Sequence, residues 1–178
     1  MIGPISLSDE ELVYSNPFME VRHTKADFNA FQKDYYVVHF GPRAGVVVAR
    51  NGSILLTRQY RFLTNTLSWE IPGGKVDESE SPELAAEREC QEETGVIVHN
   101  LKKLAVYYPG LDNVQNRTSI FWTNDCDEGE FKADKSEIEE IHWIPLDKCI
   151  QMIKNEEVLD ALTVTGLLAY WAEISSLR

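Results

Sequence analysis

The sequence is organised around one stretch, Gly73 to Val96, which reads GGKVDESESPELAAERECQEETGV. Helix signals stand at two points inside it: Ser81 is a preferred N-cap residue, Pro82 suits the first helical position, and Gly95 suits the residue just past the end. The residues between them are mostly good helix formers. The stretch therefore predicts two glycines and an acidic turn, followed by a helix.

Three carboxylates of this predicted helix share one face. Glu92 and Glu93 follow Glu89 by three and four residues, which places all three side chains on the same side of an α-helix. Like charges this close repel one another, and a divalent cation such as Mg²⁺, which takes oxygen ligands, would offset that cost. The alternative is that a glutamate-rich helix on so acidic a protein is simply a solvated face.

The fixed positions of the stretch resemble those of the Nudix box. They are Gly74, Glu80, Arg88, Glu89, Glu92, Glu93 and Gly95, with Cys90 and Val96 at the apolar positions. A match over so many positions is far more specific than a lone glycine-rich loop. The resemblance implies a Nudix hydrolase fold over roughly residues 46–178. Structural support of the box is assigned to Gly74, Glu80, Arg88 and Gly95.

The same resemblance implies a metal centre and a reaction. The metal ligands would be the backbone carbonyl of Gly73 and the carboxylates of Glu89, Glu92 and Glu93. The metal would be Mg²⁺, with Mn²⁺ as a substitute, and the reaction the hydrolysis of a nucleoside diphosphate linked to another group. Bound metal would neutralise charge that develops on the phosphoryl oxygens and lower the pKa of an attacking water. Glu89 and Glu93 are therefore also catalytic candidates.

Composition bounds the partners and the compartment. The chain has 178 residues with 43% hydrophobic content, the values of an ordinary globular protein, and its formal net charge of −12 argues against nucleic acid or an anionic membrane as partner. The cysteines, Cys90, Cys126 and Cys149, contain no C-x-x-C pair, so a reducing cytoplasm is expected. Acidic residues near the N-terminus argue against an export signal, and no apolar run approaches membrane-spanning length.

Residues 1–42 are predicted to be an N-terminal antiparallel β appendage. Strands are expected at 18–25 and 35–40, joined by a polar turn, and the segment is rich in Tyr and Phe. These aromatic side chains either cover one side of a small sheet, stack on a flat base, or line a dimer interface.

Residues 43–178 are predicted to be the main domain, of the α/β class. Strands stand on both sides of the central helix, and two further helices are expected at about 145–154 and 160–174. This order indicates a mixed sheet packed between helices, an α/β/α sandwich. The stretch 124–135 is expected to be a polar, acidic loop.

A second group of residues narrows the subfamily. The segment WEIPGG at 69–74 and the segment RQYR at 58–61 look like those of ADP-ribose pyrophosphatases and nucleoside-diphosphate-sugar hydrolases. That resemblance implies ADP-ribose or a related nucleotide sugar as substrate, cleaved to a nucleoside monophosphate and a sugar phosphate. It also implies a homodimer formed through the N-terminal region. Substrate contacts are assigned to Arg58, Arg61, Trp69, Glu70, Pro109 and Gly110.

The sequence leaves three questions open. The loop 111–116 departs from the pattern of ADP-ribose enzymes, so GDP-mannose and ADP-glucose are rival substrates. The general base is either Glu137 or Glu140, and in an extended segment Glu137 and Glu139 share a face while Glu140 faces the other way. The rival functions are cleavage of 8-oxo-dGTP-type triphosphates, removal of a pyrophosphate from RNA 5′ ends, and nucleotide sensing without catalysis.

Overall fold

The structure, a computed structural model, describes residues 3–129 and 138–176. Within these ranges the chain forms fourteen strands and three helices. Numbered in chain order, the strands are β1 (Ser6–Leu7), β2 (Glu11–Asn16), β3 (Met19–Asp27), β4 (Gln32–His39), β5 (Arg43–Arg50), β6 (Ser53–Arg61), β7 (Thr66–Glu70), β8 (Gly73–Lys75), β9 (Val96–His99), β10 (Lys102–Tyr107), β11 (Val114–Gln115), β12 (Thr118–Thr123), β13 (Asp125–Glu128) and β14 (Ile138–Pro145). The helices are α1 (Pro82–Thr94), α2 (Leu146–Lys154) and α3 (Ala161–Ser175).

These elements fall into two compact units. The first joins Met1–Pro42 to Tyr108–Arg117, and the second contains Arg43–Tyr107 and Thr118–Arg178. The sequence pattern assigns residues 108–117 to the main domain, whereas the structure groups them with the N-terminal segment. The physical reason is a backbone pairing, because β11 lies parallel to β4.

The first unit is built on one sheet. Its strand order is β1-β3-β4-β11, and β2 also pairs with β3. Both predicted strands of the appendage are present as β3 and β4, and their hairpin closes where the Phe28 N–H donates to the Phe31 carbonyl at 2.9 Å. Apart from the short parallel β4–β11 pair, the sheet is antiparallel. Strands β1 and β2 are mostly exposed and lack the alternation of apolar and polar residues that predicts a strand.

The second unit is a sheet covered by helices on both faces. The strand order in the described part is β10-β12-β5-β6-β14, with β7 on β6 and β8 on β5. Strand β12 is parallel to β5 and the other pairs are antiparallel, so the sheet is mixed. Along β5, Val46 and Val48 pack with α1, whereas Val47 and Ala49 pack with α2 and α3. The predicted α/β/α sandwich is therefore confirmed.

The prediction of a loop at 124–135 is wrong for the residues of this stretch that form strand β13. Strand β13 pairs antiparallel with β9 over four residues, and the Gly129 N–H donates to the Gly95 carbonyl at 2.9 Å. The acidic side chains of β13 lie mostly in solvent, so they do not oppose a pairing that depends on backbone groups. Residues 130–137 lie outside the described part.

Both ends of α1 carry the predicted caps. The Ser81 hydroxyl accepts a hydrogen bond from the Leu84 N–H at 3.2 Å, and Pro82 takes the first helical position. At the other end Gly95 adopts a left-handed conformation with φ of 72°, and its N–H donates to the Gln91 carbonyl. The helix therefore begins and ends where the sequence predicts.

One side of α1 packs on the sheet. Ala85, Ala86 and Cys90 are fully buried in a cluster that includes Val46 and Val48. Burial raises the pKa of the Cys90 thiol to about 12, so this residue serves as a small apolar side chain. Among the residues described, no helix is both long and apolar enough to cross a membrane.

We expect Ser81→Ala to destabilise the protein by about 1 kcal/mol, because it removes the acceptor for the Leu84 N–H at the first turn of α1. Urea unfolding monitored by circular dichroism measures the change. Ser79→Ala is the matched control, since Ser79 is exposed in the turn before the helix. Equal destabilisation by the two substitutions would contradict the capping role.

Candidate active site

The polar end of α1 faces alternate residues of β6 and β7. Thr57, Gln59 and Arg61 point to the same side of β6, because successive strand residues alternate between faces. Glu70 stands opposite Thr57 across the β6–β7 pair. The hydrogen bond between Gln59 and Glu93 shows that this is the side that α1 covers. We define the carboxylate site as Gln59, Arg61, Glu70, Gly73, Gly74, Glu89 and Glu93.

Glu93 is the most strongly perturbed carboxyl of this group. One of its oxygens accepts from the Gly73 N–H at 3.1 Å, and the other accepts from Nε2 of Gln59 at 3.3 Å. Burial is the main reason that the pKa of Glu93 is raised to about 8, and the charges of Glu89 and Glu70 add to it. The two hydrogen bonds act in the opposite direction but do not cancel the burial. Ionising Glu93 is therefore costly in this environment, and a bound cation would offset that cost.

Arg88 neutralises the carboxylates of the helix that lie nearer to solvent. Its Nη1 donates to Glu89 at 2.9 Å and to Glu92 at 3.1 Å, and its Nε and Nη2 both donate to Glu80 at 3.0 Å. A further bond of 2.9 Å joins Nη2 to the Lys75 carbonyl. These contacts join the turn before α1 to the helix. The supporting role of Glu80 and Arg88 stays a prediction. Glu89 still has a raised pKa, because its burial outweighs the effect of Arg88.

The two glycines let the backbone lie against these carboxylates. A β-carbon on Gly74 would stand 2.2 Å from Oε1 of Glu89, and one on Gly73 would stand 2.6 Å from the Ala44 carbonyl oxygen. Both distances are shorter than any van der Waals contact. Glycine at these positions therefore gives Glu89 its space and lets β8 pair with β5.

The donor set fits a hard divalent cation. It consists of carboxylate and backbone oxygens, the ligands that Mg²⁺ and Mn²⁺ prefer, and it includes two carboxyls held partly out of water. As the side chains stand, no three acidic, His or Cys residues of the described ranges are gathered closely enough to enclose a metal ion. Arg88 pairs with two of the carboxylates, Glu89 and Glu92. A cation at these carboxylates would have to share them with Arg88 or replace it.

Arg61 and Glu70 form a forked ion pair on the same face as Glu93. Nε and Nη2 of Arg61 donate to the two oxygens of Glu70, the first at 2.7 Å. The Glu70 side chain is buried, whereas that of Arg61 is 45% exposed. The hydrogen bond to Glu70 is the main reason that the pKa of Arg61 is raised, with smaller effects from Asp160 and Glu93. Glu70 therefore orients Arg61, and the partial exposure of Arg61 leaves its remaining N–H groups within reach of solvent or a ligand.

Other residues predicted to serve the site lie on the opposite face of the sheet. Arg58 donates to Glu140 at 2.8 Å and stacks over the ring of Trp69, and His142 contacts both Glu140 and Trp69. Trp69 packs with the core on the α2 and α3 side. The structure thus does not bring Arg58, Trp69 or Glu140 to Glu93.

The remaining predicted residues lie elsewhere or beyond the described ranges. Pro109 and Gly110 belong to the first unit, in a turn where the Gly110 carbonyl accepts from the Asn113 and Val114 N–H groups. Glu137, the other candidate for the general base, lies outside the described residues. Their functional roles stay predictions.

Gln59 was not among the predicted site residues, although it contacts Glu93 directly. The sequence held one usable signal. Gln59 follows Leu55 and Thr57 at alternate positions of a strand, so it is a polar residue at a position that faces the core. Buried glutamine is uncommon and needs hydrogen-bond partners, which marks such a position for attention.

Comparison with known proteins decides the family. The family model described as NUDIX domain matches residues 39–163. The chain belongs to the Nudix family. An ADP-ribose pyrophosphatase of Bacillus subtilis is 30% identical over 74% of this chain and 72% of its own. A Streptomyces rubellomurinus protein named CMP-5′-(N-acetyl-N-hydroxy-3-aminopropyl)phosphonate hydrolase is 30% identical over 90% of this chain and 79% of its own.

A solved structure shows the same fold. The crystal structure of an ADP compounds hydrolase superposes with a TM-score of 0.85, covers 98% of this chain and 96% of its own, and has 18% sequence identity. At this identity the likeness concerns the fold alone. The sequence-based recognition of a Nudix pyrophosphohydrolase is confirmed by the family match together with the relatives.

The pH dependence of stability should reveal the burial of Glu93 in the metal-free Nudix protein. The folded state should hold the Glu93 proton to about pH 8, whereas the unfolded chain releases it near 4.5. Ionisation of Glu93 therefore costs folding stability that is absent below pH 4.5 and grows until about pH 8. Glu93→Gln removes that charge at nearly constant size, so it should stabilise the metal-free protein at pH 8 by about 1–3 kcal/mol.

Urea unfolding in EDTA, from pH 4.5 to 8.5, measures this difference. The gap between Glu93→Gln and wild type should close towards pH 4.5. Glu173→Gln, at an exposed position of α3, serves as the control and should show no such pH dependence. A Glu93→Gln protein that is less stable than wild type throughout the range would contradict the assignment.

Proposed function

We propose that this Nudix protein hydrolyses the pyrophosphate bond of ADP-ribose or a related nucleoside diphosphate sugar, with Mg²⁺, to a nucleoside monophosphate and a sugar phosphate. The observation that carries the proposal is the carboxylate site, where Glu89 and Glu93 lie partly out of water beside glycine backbone. Arg61 on the same face adds a cation that suits a phosphate. The name of the Bacillus subtilis relative supports this substrate class.

The metal ligands proposed are the Glu89, Glu92 and Glu93 carboxylates and the Gly73 carbonyl. When bound, Mg²⁺ supplies Lewis acidity towards phosphoryl oxygens and a water of lowered pKa. Mn²⁺ shares the preference for oxygen ligands and is the expected substitute.

In this proposal the other residues around the metal ligands have different roles. Gly73 and Gln59 each give one N–H to Glu93, so they fix its carboxylate from the sheet side. Arg88 holds the turn before α1 through Glu80. Arg61 keeps three N–H groups beyond the two that Glu70 accepts, and within the described residues these remain available to donate to a phosphate or ribose oxygen.

Of the two candidates for the base that activates the water, Glu140 is the less suited by its contacts, and Glu137, outside the described residues, is the one we propose. Glu140 is paired with Arg58 and His142 on the far face of the sheet. The hydrogen bond from Arg58 is the main reason that its pKa is lowered, and a carboxylate with a lowered pKa is a weaker base.

Turnover across a substrate panel tests the proposal. With Mg²⁺, the purified protein should release a nucleoside monophosphate and a sugar phosphate from at least one of ADP-ribose, GDP-mannose, ADP-glucose and UDP-glucose. Excess EDTA should abolish turnover, and Mn²⁺ should restore it. Glu93→Gln should lower kcat by at least about 10²-fold, the usual effect of losing one strong electrostatic contribution. Chromatography measures the amount of each product released.

The same panel separates the rival functions. It includes 8-oxo-dGTP, RNA with a 5′ triphosphate, and a CMP-linked phosphonate, since one relative is named for such a compound. Preference for one of these over every nucleotide sugar would overturn the substrate class. Tight ADP-ribose binding in Mg²⁺ without hydrolysis would favour a sensor. Glu173→Gln should retain full activity.

We also propose that the protein is a homodimer formed through its first unit. That unit carries many exposed apolar side chains, more than a small solvated sheet needs. They are Ile5, Leu7, Leu12, Val13, Tyr14, Phe18, Phe31, Tyr36 and Phe40. A second copy of the chain is the expected occupant of this surface.

Light scattering coupled to gel filtration tests the dimer, since one chain has a mass of 20.3 kDa. We expect twice this mass for wild type and a shift towards one chain for Leu12→Glu. Leu168→Glu, at an exposed position of α3, is the control, because Leu168 is 45% exposed and Leu12 52%. A single-chain mass for wild type at micromolar concentration would contradict the dimer.

A cytoplasmic location and the lack of nucleic-acid or membrane partners complete the proposal. The three cysteines, Cys90, Cys126 and Cys149, are all free thiols, as expected in a reducing compartment. The net charge of −12 opposes binding to polyanions other than through metal ions.

A further inference from the structure

Gln59 stands at the centre of a short chain of hydrogen bonds that ends on Glu93. Its Nε2 donates to Glu93 at 3.3 Å and to the Thr57 hydroxyl at 3.2 Å. The Thr57 hydroxyl in turn donates to the Glu70 carbonyl at 3.3 Å. Both Thr57 and Gln59 are buried, at 0% and 6% exposure. This series of hydrogen bonds thus runs from the backbone of β7 through the Thr57 and Gln59 side chains of β6 to the Glu93 carboxylate.

The direction of these bonds fixes which end of the amide meets Glu93. The Thr57 hydroxyl has one proton, and the Glu70 carbonyl takes it, so its oxygen can only accept from Gln59. The two hydrogens of the Gln59 amide nitrogen therefore serve Thr57 and Glu93. Rotating the amide by half a turn would set its oxygen against the hydroxyl oxygen of Thr57 and, when Glu93 is ionised as a metal ligand, against its carboxylate, and both contacts are repulsive.

The Glu93 carboxylate is held at both oxygens. The Gly73 N–H bonds one oxygen and Gln59 the other. Within residues 3–129 and 138–176, Gln59 is the sole side chain that donates to Glu93. Each carboxylate oxygen accepts more than one bond, so these two contacts set the plane of the group and leave lone pairs for a cation.

Gln59 orients Glu93 without neutralising it. Arg88 shows the contrast, since it pairs with Glu89 and Glu92 through a full positive charge. A lysine or arginine at position 59 would compete with a metal ion for Glu93, whereas an amide donates a hydrogen bond and adds no charge of its own. Leucine or methionine would fill the same space without needing polar partners, so packing alone does not explain a glutamine here.

We propose that Gln59 is a positioning residue for the reaction, which sets the orientation of the Glu93 carboxylate towards the metal and is itself held by Thr57. The assignment rests on the proposed function, in which Glu93 is a metal ligand. Removing a group that hydrogen-bonds a metal ligand typically lowers metal affinity or activity by about 10–100-fold.

Two sets of variants test Gln59. Gln59→Met keeps the length and volume of the side chain but removes the donor, and Gln91→Met is the control at an exposed position of α1. Thr57→Val removes the hydroxyl at constant shape, whereas Thr57→Ser restores it. Metal affinity is measured without substrate, by calorimetric titration with Mn²⁺. Turnover of the best panel substrate is measured against Mg²⁺ concentration.

We expect Gln59→Met to weaken Mn²⁺ binding and to raise the Mg²⁺ concentration for half-maximal turnover by about 10-fold or more. The KM for the nucleotide substrate at saturating Mg²⁺ should change less than kcat. Thr57→Val should shift both metal readouts in the same direction by a smaller factor, and Thr57→Ser should return them to wild type. Gln91→Met should match wild type throughout.

Each failure points to a different error. Mn²⁺ affinity and Mg²⁺ dependence within twofold of wild type in Gln59→Met would overturn the positioning role while leaving the proposed function intact. A wild type that neither binds Mn²⁺ nor hydrolyses any substrate would overturn the proposed function instead. A purely structural role predicts lower melting temperature in EDTA with unchanged metal affinity. If Gln59→Met does not fold, the Thr57→Val and Thr57→Ser pair decides the question.

Discussion

The carboxylate site depends on two missing β-carbons. Strand β8 can lie against β5 only because Gly73 has no side chain to meet the Ala44 carbonyl, and Glu89 can reach its position only because Gly74 has none. Once β8 is in place, its first N–H points at Glu93. The two glycines thus let the Gly73 N–H and the Glu89 and Glu93 carboxylates lie close together. A side chain at either glycine would occupy that space.

The closeness of the carboxylates has two electrostatic consequences, one met by Arg88 and the other left at Glu93. Arg88 lowers the repulsion among the carboxylates and ties Glu80 to the helix, so the metal-free site is tolerable. The same pairing occupies Glu89 and Glu92. Glu93 receives only neutral donors, and its burial leaves its pKa near 8. A cation would therefore gain most from Glu93, the carboxylate that Arg88 does not contact in the structure.

The parts of the fold that depend on local signals were predictable. The caps of α1 lie at Ser81 and Gly95 because hydroxyl capping and left-handed backbone are properties of single residues. The pairing of β9 with β13 was missed, since it depends on backbone groups and leaves acidic side chains in solvent. The contact of Gln59 with Glu93 joins residues 34 positions apart and needs the sheet register to be known.

The sequence pattern also does not show which predicted site residues share a face of the sheet. Arg58 and Arg61 were assigned to one substrate site, as were Trp69 and Glu70. Residues an odd number of positions apart on a strand face opposite sides, so each pair had to be divided between the two faces. The structure does divide them, with Arg61 and Glu70 on the side of Glu93. The alternation rule divides these pairs only once the extents of β6 and β7 are known, and the structure supplies those extents.

The balance of charge at the site links the metal to the substrate. Within the described residues, Arg61 pairs with Glu70 and Arg88 pairs with Glu80, Glu89 and Glu92, whereas Glu93 forms no ion pair. Arg43 acts on Glu89 from a greater distance, but the carboxylates still outnumber the arginines. Asp160 lies near enough to Arg61 to raise its pKa further. A diphosphate entering this site on its own would meet an excess of negative charge. In the proposed reaction, divalent cations would supply the attraction, and the hydrogen bonds of Arg61 would orient the substrate rather than draw it in. The proposed function therefore requires that metal binding precede or accompany substrate binding.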